Sequence, residues 1–286
     1  DRWSVCHSFA FDFSVWELWG PLVSGGCACI ADAATIKDTP RFHDWLREHR
    51  ISVLSQTPSS FFALELADRQ QARSRLEALR YVVFGGEALD VNLLQGWCER
   101  YAPGQPSLIN MYGITEITVH ATFHEVTKDD LASSRNTIGR ALPNLTAVVL
   151  DACLRRVPPG FPGELFIAGD GVAQCYLHRE ALTLERFLPI PRLGLGAARF
   201  YRSGDRARYQ GDGLLEYLGR NDRQVKIRGY RIELDEIENV LRSGQGVSAA
   251  AVKVVDFAEP VGKRVVAYVC HEGAGVDHLM SLMQER

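Results

Sequence analysis

The chain has 286 residues, 46% hydrophobic and 23% charged, the balance of a globular protein with room for one large domain or for a large and a small one. A formal net charge of -3 excludes a nucleic-acid partner held by bulk electrostatics. No apolar run approaches the ~20 residues of a membrane-spanning helix. The seven cysteines are scattered, and Cys27-Ala28-Cys29 lacks the second pair a zinc site needs, so the expectation is reduced thiols in a cytoplasmic protein. Asp1-Arg2-Trp3 shows no signal pattern, and Met283-Gln284-Glu285-Arg286 has no capping glycine, so the chain reads as a fragment truncated at both ends.

Pro40 to Arg50 places Phe42, Trp45 and Leu46 on one face, which predicts an amphipathic helix, and Ile51-Ser52-Val53-Leu54 predicts a short strand stopping near Pro58. Helical patterns follow over Ser59 to Arg69 and Gln70 to Leu79. Tyr81-Val82-Val83-Phe84 is β-branched and aromatic and leaves through Gly85-Gly86, the mark of a buried strand with a tight exit. Asn92 to Tyr101 returns to a helical pattern, and Leu108-Ile109-Asn110-Met111-Tyr112 to a strand. Strand, helix, strand at this spacing predicts an α/β fold with a mostly parallel, doubly wound sheet. Sites on such sheets sit at the carboxyl ends of strands, here Gly85-Gly86-Glu87 and Tyr112-Gly113.

From Thr137 short strands (Ala147 to Leu150, Gly163 to Ile167, Leu214 to Leu218) alternate with Pro158-Pro159-Gly160 and Gln210-Gly211-Asp212-Gly213, which predicts a β-rich, barrel-like subregion. After Asn221-Asp222 come a strand, a helix over Leu234 to Ser243 and strands near Ala249 to Val255 and Arg264 to Cys270, a small α+β lobe. The expected division is a core lobe over 1–221 and a small lobe over 222–286, meeting at Asp222.

Three stretches carry chemistry. GRNDRQVKIRGYRIELDEIE (Gly219 to Glu238) crowds Arg220, Asp222, Arg223, Lys226, Arg228 and Arg231 together, so it lies at the surface or lines a site that handles negative charge. In NMYGITE (Asn110 to Glu116), Glu116 is suited to a hard cation or to solvent, Thr115 supplies a hydroxyl for phosphate, and Tyr112 offers a flat face to adenine or to the core. In FYRSGDRARY (Phe200 to Tyr209), Gly204 permits a turn presenting Asp205, a carboxylate able to accept from both ribose hydroxyls or to close an Asx turn. Their order and spacing resemble the adenylate-forming enzymes, and most closely the amino-acid-activating adenylation domains of nonribosomal peptide synthetases.

The resemblance implies an enzyme that joins an amino acid to the α-phosphate of ATP with Mg²⁺, then passes it to the phosphopantetheine thiol of a carrier domain. It implies Thr115, Glu116, Asp205 and Arg220 as catalytic residues, with Glu116 on the metal. The nucleotide site would draw on Gly85, Gly86, Glu87, Asn110, Met111, Tyr112 and Gly113 as well as Thr115, Asp205 and Arg220. Asp222 matches the family's hinge, and Lys226 and Gly229 match positions on the face used in thiolation. Ile114 stands where the family usually has Pro, and Gln174-Cys175 replaces a basic residue and Gly in the block from Gly163 to Glu180. The phosphate loop lies before Asp1 and the terminal catalytic lysine beyond Arg286.

Phe11-Asp12-Phe13-Ser14-Val15-Trp16 resembles the segment whose Asp pairs with the substrate's α-ammonium, although an Asp there also suits a helix N-cap. By resemblance the acid pocket comprises Asp12, Phe13, Trp16, Ser55, Val83, Gly85, Met111, Val119 and His120, a small apolar lining with two groups for a side-chain hydroxyl. That pattern points to threonine, with serine, 2-aminobutyrate and valine behind it. His7 is a minor candidate for the same neighbourhood. The resemblance also implies a condensation domain as a partner and leaves open a small activator of the MbtH-like class. The alternatives are an acyl- or aryl-CoA ligase of the same fold and a catalytically incomplete fragment.

Overall fold

Apolar, β-branched runs bounded by glycine and polar turns build five short parallel strands: β1 (Arg2–Val5), β2 (Cys27–Ile30), β3 (Val53–Gln56), β4 (Tyr81–Phe84) and β5 (Ser107–Asn110), in the order β2-β1-β3-β4-β5. The structure is a computed structural model that describes residues 1–71, 75–101, 104–195, 199–257, 262–271 and 283. Helices α1 (Phe13–Ser24), α2 (Ala33–Lys37), α3 (Thr39–Glu48), α4 (Pro58–Gln70) and α5 (Gln95–Arg100) fall between the strands, as parallel pairing requires. Thr57 starts α4, its hydroxyl accepting from Ser60 N, with Pro58 in the first turn where no N–H is needed.

The period of two along these strands sorts side chains onto two faces. Leu54, Val82, Phe84 and Leu108 join one buried cluster with Phe61 and Trp97, whereas Val83 and Ile109 join another with Phe13 and Met111. Ser55 lies opposite Val83 in the ladder, which places a hydroxyl on that second face.

Beyond β5 pairing becomes antiparallel through β6 (Thr122–Glu125), which precedes α6 (Lys128–Ser133), and β7 (Thr137–Ala141). The order continues β7-β12-β11-β9-β8, with β8 (Leu145–Leu150), β9 (Gly163–Gly169), β11 (Arg199–Tyr209) and β12 (Leu215–Arg220), while β10 (Phe187–Pro189), after α7 (Glu180–Arg186), pairs with β11. This antiparallel half is the β-rich subregion expected from the turn-rich sequence, and its ladder runs in an open order. No described helix is long and apolar enough to cross a membrane.

Contacts divide the chain into two units, Asp1–Asn221 and Asp222–Arg286. In the second, β13 (Gln224–Ile227) and β14 (Tyr230–Glu233) form a hairpin, α8 (Leu234–Arg242) follows, and β15 (Val247–Phe257) pairs antiparallel with β16 (Gly262–His271). Arg228 and Gly229, at φ 52° and 79°, make the hairpin turn. Part of the charge strip is internal to this unit: Arg223 pairs with Asp235 and Glu238 at 2.8 and 2.7 Å. That hydrogen bond, with Val252 N–H, brings the Glu238 carboxyl down to about 2.

One expected helix is overturned. Over Gln70 to Leu79, α4 ends at Gln70, residues 72–74 lie outside the described residues, and Leu76 to Leu79 form a turn. Leu76 N donates to Tyr101 Oη at 3.0 Å, so tertiary packing takes the amide that a helix would have used. The helix expected from Asn92 is split into a 3₁₀ turn, Val91–Leu94, and α5.

Candidate functional site

At the carboxyl ends of β3, β4 and β5 the first unit gathers the residues expected to hold the acid. Phe13 is 1% exposed and packs with Val83, Ile109 and Met111, while Trp16 and Val119 border the cluster. The His120 ring meets Phe13 at 5.3 Å and Trp16 at 5.2 Å, edge to face in both cases. Gly85 leaves room for this: a Cβ there would stand 3.2 Å from Phe13 and 3.4 Å from His120. Three buried polar atoms of this lining, Trp16 Nε1, Ser55 Oγ and His120 Nε2, have no hydrogen-bond partner. Burial holds the His120 imidazole down, at about 4, so it is neutral near pH 7.

Asp12 precedes α1 but makes no side-chain cap; its Oδ2 accepts from Thr115 Oγ1 at 2.8 Å. The N-cap alternative is therefore not the role the carboxylate takes. Thr115 opens a 3₁₀ turn, Thr115–Ile117, on a tightly wound loop. A Cβ on Gly113 would fall 1.6 Å from Val119 O, so only glycine fits. Thr118 and Val119 stand at φ 63° and 70°, a strained conformation for β-branched residues that aims His120 back toward Phe13.

Asp205, on β11, lies opposite Arg220 on β12. Its Oδ1 accepts from Arg220 Nη1 at 2.8 Å and its Oδ2 from Tyr112 Oη, with the carboxylate 2% exposed. Burial, and then the neighbouring Asp205 charge, push the Tyr112 hydroxyl well up, so it stays a donor. Tyr112 is thus both a core residue and the group that orients Asp205. Glu116 is buried, and its Oε1 accepts from Tyr176 Oη at 2.6 Å and Tyr201 Oη at 3.0 Å. Sequence reasoning missed both tyrosines, although Tyr201 lies inside the FYRSGD stretch and Tyr176 inside the Gly163 to Glu180 block.

Other expected residues serve the scaffold around this group. Glu87 accepts from Ser59 N at 3.0 Å and Ser59 Oγ at 3.1 Å, tying the loop after β4 to the start of α4. Asn110 Nδ2 donates to Thr137 O at 2.8 Å, joining β5 to β7, and Gly86 takes φ 81°. His7 Nδ1 sits 2.9 Å from Glu17 Oε1, and its ring stacks on Phe13. In the second unit Asp222 Oδ1 accepts from Gln224 N, and Lys226 lies opposite Arg231 in the hairpin, close to Gly229. A cavity of about 520 Å³ bordered by Arg80, Tyr81, Tyr101 and Ser107 opens at the amino ends of β4 and β5 and contains none of the expected site residues.

The model of the AMP-binding enzyme family matches residues 1–177. The chain belongs to this family. It is similar to syringomycin synthase SyrB1 of Pseudomonas syringae pv. syringae, 47% identical over 97% of the chain and 44% of that protein. It is also similar to a dimodular nonribosomal peptide synthase of Bacillus subtilis, 46% identical over 94% of the chain and 11% of that protein. The chain therefore spans less than half the length of these relatives. Among solved structures it is similar to a nonribosomal peptide synthetase protein containing adenylation and PCP domains, at TM-score 0.84 and 32% identity over 95% of the chain and 46% of the other. The Vibrio cholerae adenylation domain AlmE, in complex with glycyl-adenosine-5'-phosphate, gives TM-score 0.84 and 28% identity over 100% of the chain and 53% of the other. The mixed α/β fold, with its parallel half and antiparallel half, is that of an adenylation domain.

Proposed function

We propose that the chain forms most of the amino-acid and nucleotide site of a nonribosomal peptide synthetase adenylation domain that activates L-threonine in the cytoplasm. The observation that carries the reading is the set of unpaired atoms Trp16 Nε1, Ser55 Oγ and His120 Nε2, buried beside the apolar wall of Phe13, Val83 and Met111. Buried polar atoms without partners are costly, and a substrate that supplies the partners removes that cost. A β-branched side chain with one hydroxyl and one methyl matches such a lining: the methyl meets the wall, and the hydroxyl meets Ser55 and neutral His120. Asp12, uncapped and already accepting one hydroxyl proton, takes the α-ammonium. A fatty or aryl acid would leave that carboxylate without its cation, which disfavours the CoA-ligase alternative.

The threonine carboxylate oxygen would then form a bond to the α-phosphorus of ATP as the bond to pyrophosphate breaks, giving threonyl-AMP. A carrier-domain thiol would form the thioester as AMP leaves. Asp205, fixed by Tyr112 and Arg220, would receive the ribose hydroxyls on its remaining lone pairs. The buried Glu116 carboxylate, oriented by Tyr176 and Tyr201, with the Thr115 hydroxyl beside it in sequence, supplies the hard oxygen donors that suit Mg²⁺, an ion held largely by phosphate and water. Bound there, Mg²⁺ would neutralise charge on the phosphates. These residues would act by alignment and charge stabilisation, not by covalent catalysis. The core lobe (1–221) and small lobe (222–286) would exchange orientations about Asp222 between the two half-reactions, with Lys226 and Gly229 on the face used in thiolation. A condensation domain would take the thioester onward.

The test is ATP–pyrophosphate exchange on the full-length protein with each proteinogenic amino acid. Threonine is expected to drive exchange, and Asp12→Ala to reduce it by roughly 10²–10³-fold, the equivalent of about 3–4 kcal/mol for an ion-pair partner that bound substrate would desolvate. Exchange driven only by another amino acid would refute the pocket reading. Exchange driven only by aryl or fatty acids would refute the function.

A further inference from the structure

The loop between β1 and α1, together with α1 itself, holds a second group of ligating side chains, Cys6, His7 and Glu17, with His7 stacked on Phe13. Glu17, on α1, is fully buried. Its Oε2 accepts the backbone N–H groups of Cys6 and His7, both at 3.0 Å. Its Oε1 faces two side chains instead: His7 Nδ1 at 2.9 Å and Cys6 Sγ at 3.3 Å, themselves 3.8 Å apart. Among the described residues this is the one group of three His, Cys, Asp or Glu side chains gathered closely enough to share an ion.

A tetrahedral zinc ion, with bonds of about 2.3 Å to sulfur and about 2.0–2.2 Å to nitrogen and oxygen, sets its ligand atoms roughly 3.3–3.6 Å apart. The three observed separations straddle that range, each departing from it by less than about half an ångström. We propose that Cys6, His7 and Glu17 form one face of a binding site for a divalent cation of the zinc class, water completing the tetrahedron. A carboxylate anchored through one oxygen by two amides, with the other aimed at sulfur and imidazole, has the outer-shell support that metal ligands need. Gln56 Nε2, 3.5 Å from Cys6 Sγ, adds a further contact to the sulfur.

Burial, and then Glu17, push the Cys6 thiol up, so an ion that binds the sulfur must displace its proton. When the ion binds, the sulfur–hydrogen bond breaks and a sulfur–metal bond forms, and the thiol proton leaves to solvent. His7 would bind through Nδ1 with its ring proton on Nε2, and thiolate and carboxylate together match the two charges of the ion. One proton is released per ion, so affinity rises with pH. The His7 ring stacks on Phe13 with centroids 4.9 Å apart, so the ion fixes the ring that backs the substrate wall. That consequence rests on the proposed pocket; binding itself does not.

Cobalt(II) titration of the full-length protein under reducing conditions tests the site. A sulfur-to-cobalt charge-transfer band saturating at one equivalent and displaced by zinc is expected. Cys6→Ser should abolish it, His7→Ala and Glu17→Gln should weaken binding roughly tenfold or more, and Cys27→Ser and Cys29→Ser should leave it intact. Absence of the band in the wild type, its survival in Cys6→Ser, or its loss in Cys27→Ser would overturn the proposal. Melting curves establish that the variants fold, and the His7 and Glu17 variants carry the test if Cys6→Ser does not.

Discussion

The first unit holds two sets of buried polar side chains with opposite hydrogen-bonding states. Around Asp205 and Glu116 the carboxylates already accept from Arg220, Tyr112, Tyr176 and Tyr201. Around Phe13, by contrast, Trp16, Ser55 and His120 each keep a buried polar atom with no partner. The first arrangement is a scaffold made within the protein, and it fixes the carboxylates proposed above to meet ribose and Mg²⁺. The second is a set of buried polar atoms without partners, which the proposed function assigns to substrate choice. Rigid positioning thus rests on β11, β12 and the loop after β5, and the unpaired lining on α1, β3 and the segment that carries His120.

Breaking the scaffold should cost stability as well as activity. Asp205→Ala removes the acceptor shared by a buried tyrosine and a buried guanidinium. It is expected to lower unfolding free energy by roughly 3–5 kcal/mol, read from urea midpoints at constant slope. Tyr176→Phe is milder, because Tyr201 still donates to Glu116; about 1.5–3 kcal/mol is expected, with the KM for MgATP rising more than the KM for threonine. The lining should behave differently, because its atoms have no partner to lose. Ser55→Ala is expected to change stability by less than about 1 kcal/mol while altering substrate choice.

The smallest effect sharpens the comparison through pH. Burial lowers the His120 pKa from 6.5 to about 4, so between those values the unfolded chain binds a proton that the folded chain does not. This group's contribution to stability therefore falls as pH drops from 6.5 toward 4. His120→Phe should flatten that part of the stability profile, measured by denaturation at closely spaced pH. The threonine KM should show no inflection near 6.5 in the wild type.

How much of this was legible in the sequence depends on distance along the chain. Three of the five parallel strands were, because Ile51 to Leu54, Tyr81 to Phe84 and Leu108 to Tyr112 are apolar runs closed by proline or glycine, whereas Arg2–Val5 and Cys27–Ile30 carry too few β-branched residues to announce themselves. Helix α1 was read only as a binding segment; Pro21 inside it and an apolar outer face obscure its period. The run Gln70 to Leu79 misled because Leu76 and Leu79 are buried at helical spacing but by a turn under Tyr101. Motifs single out Asp12, His120 and Asp205, which the structure places in buried or half-buried polar contacts or beside Phe13. The pairing of Glu116 with Tyr176 and Tyr201, 60 and 85 residues away, was not legible, since nothing local marks a tyrosine as a carboxylate's partner. The strain at Thr118 and Val119 was equally hidden, because β-branched residues do not advertise positive φ.

The central claim is that the unpaired atoms of the lining await a substrate hydroxyl, and threonine against its near-isostere valine tests it most directly. The measurement is the ratio of kcat/KM for the two amino acids in pyrophosphate exchange, in the full-length wild type and in Ser55→Ala and His120→Phe. The wild type should favour threonine by at least ~10²-fold, and each variant should cut that preference roughly 5–150-fold, the equivalent of about 1–3 kcal/mol. A wild type that prefers valine, or variants that keep the wild-type ratio, would contradict it.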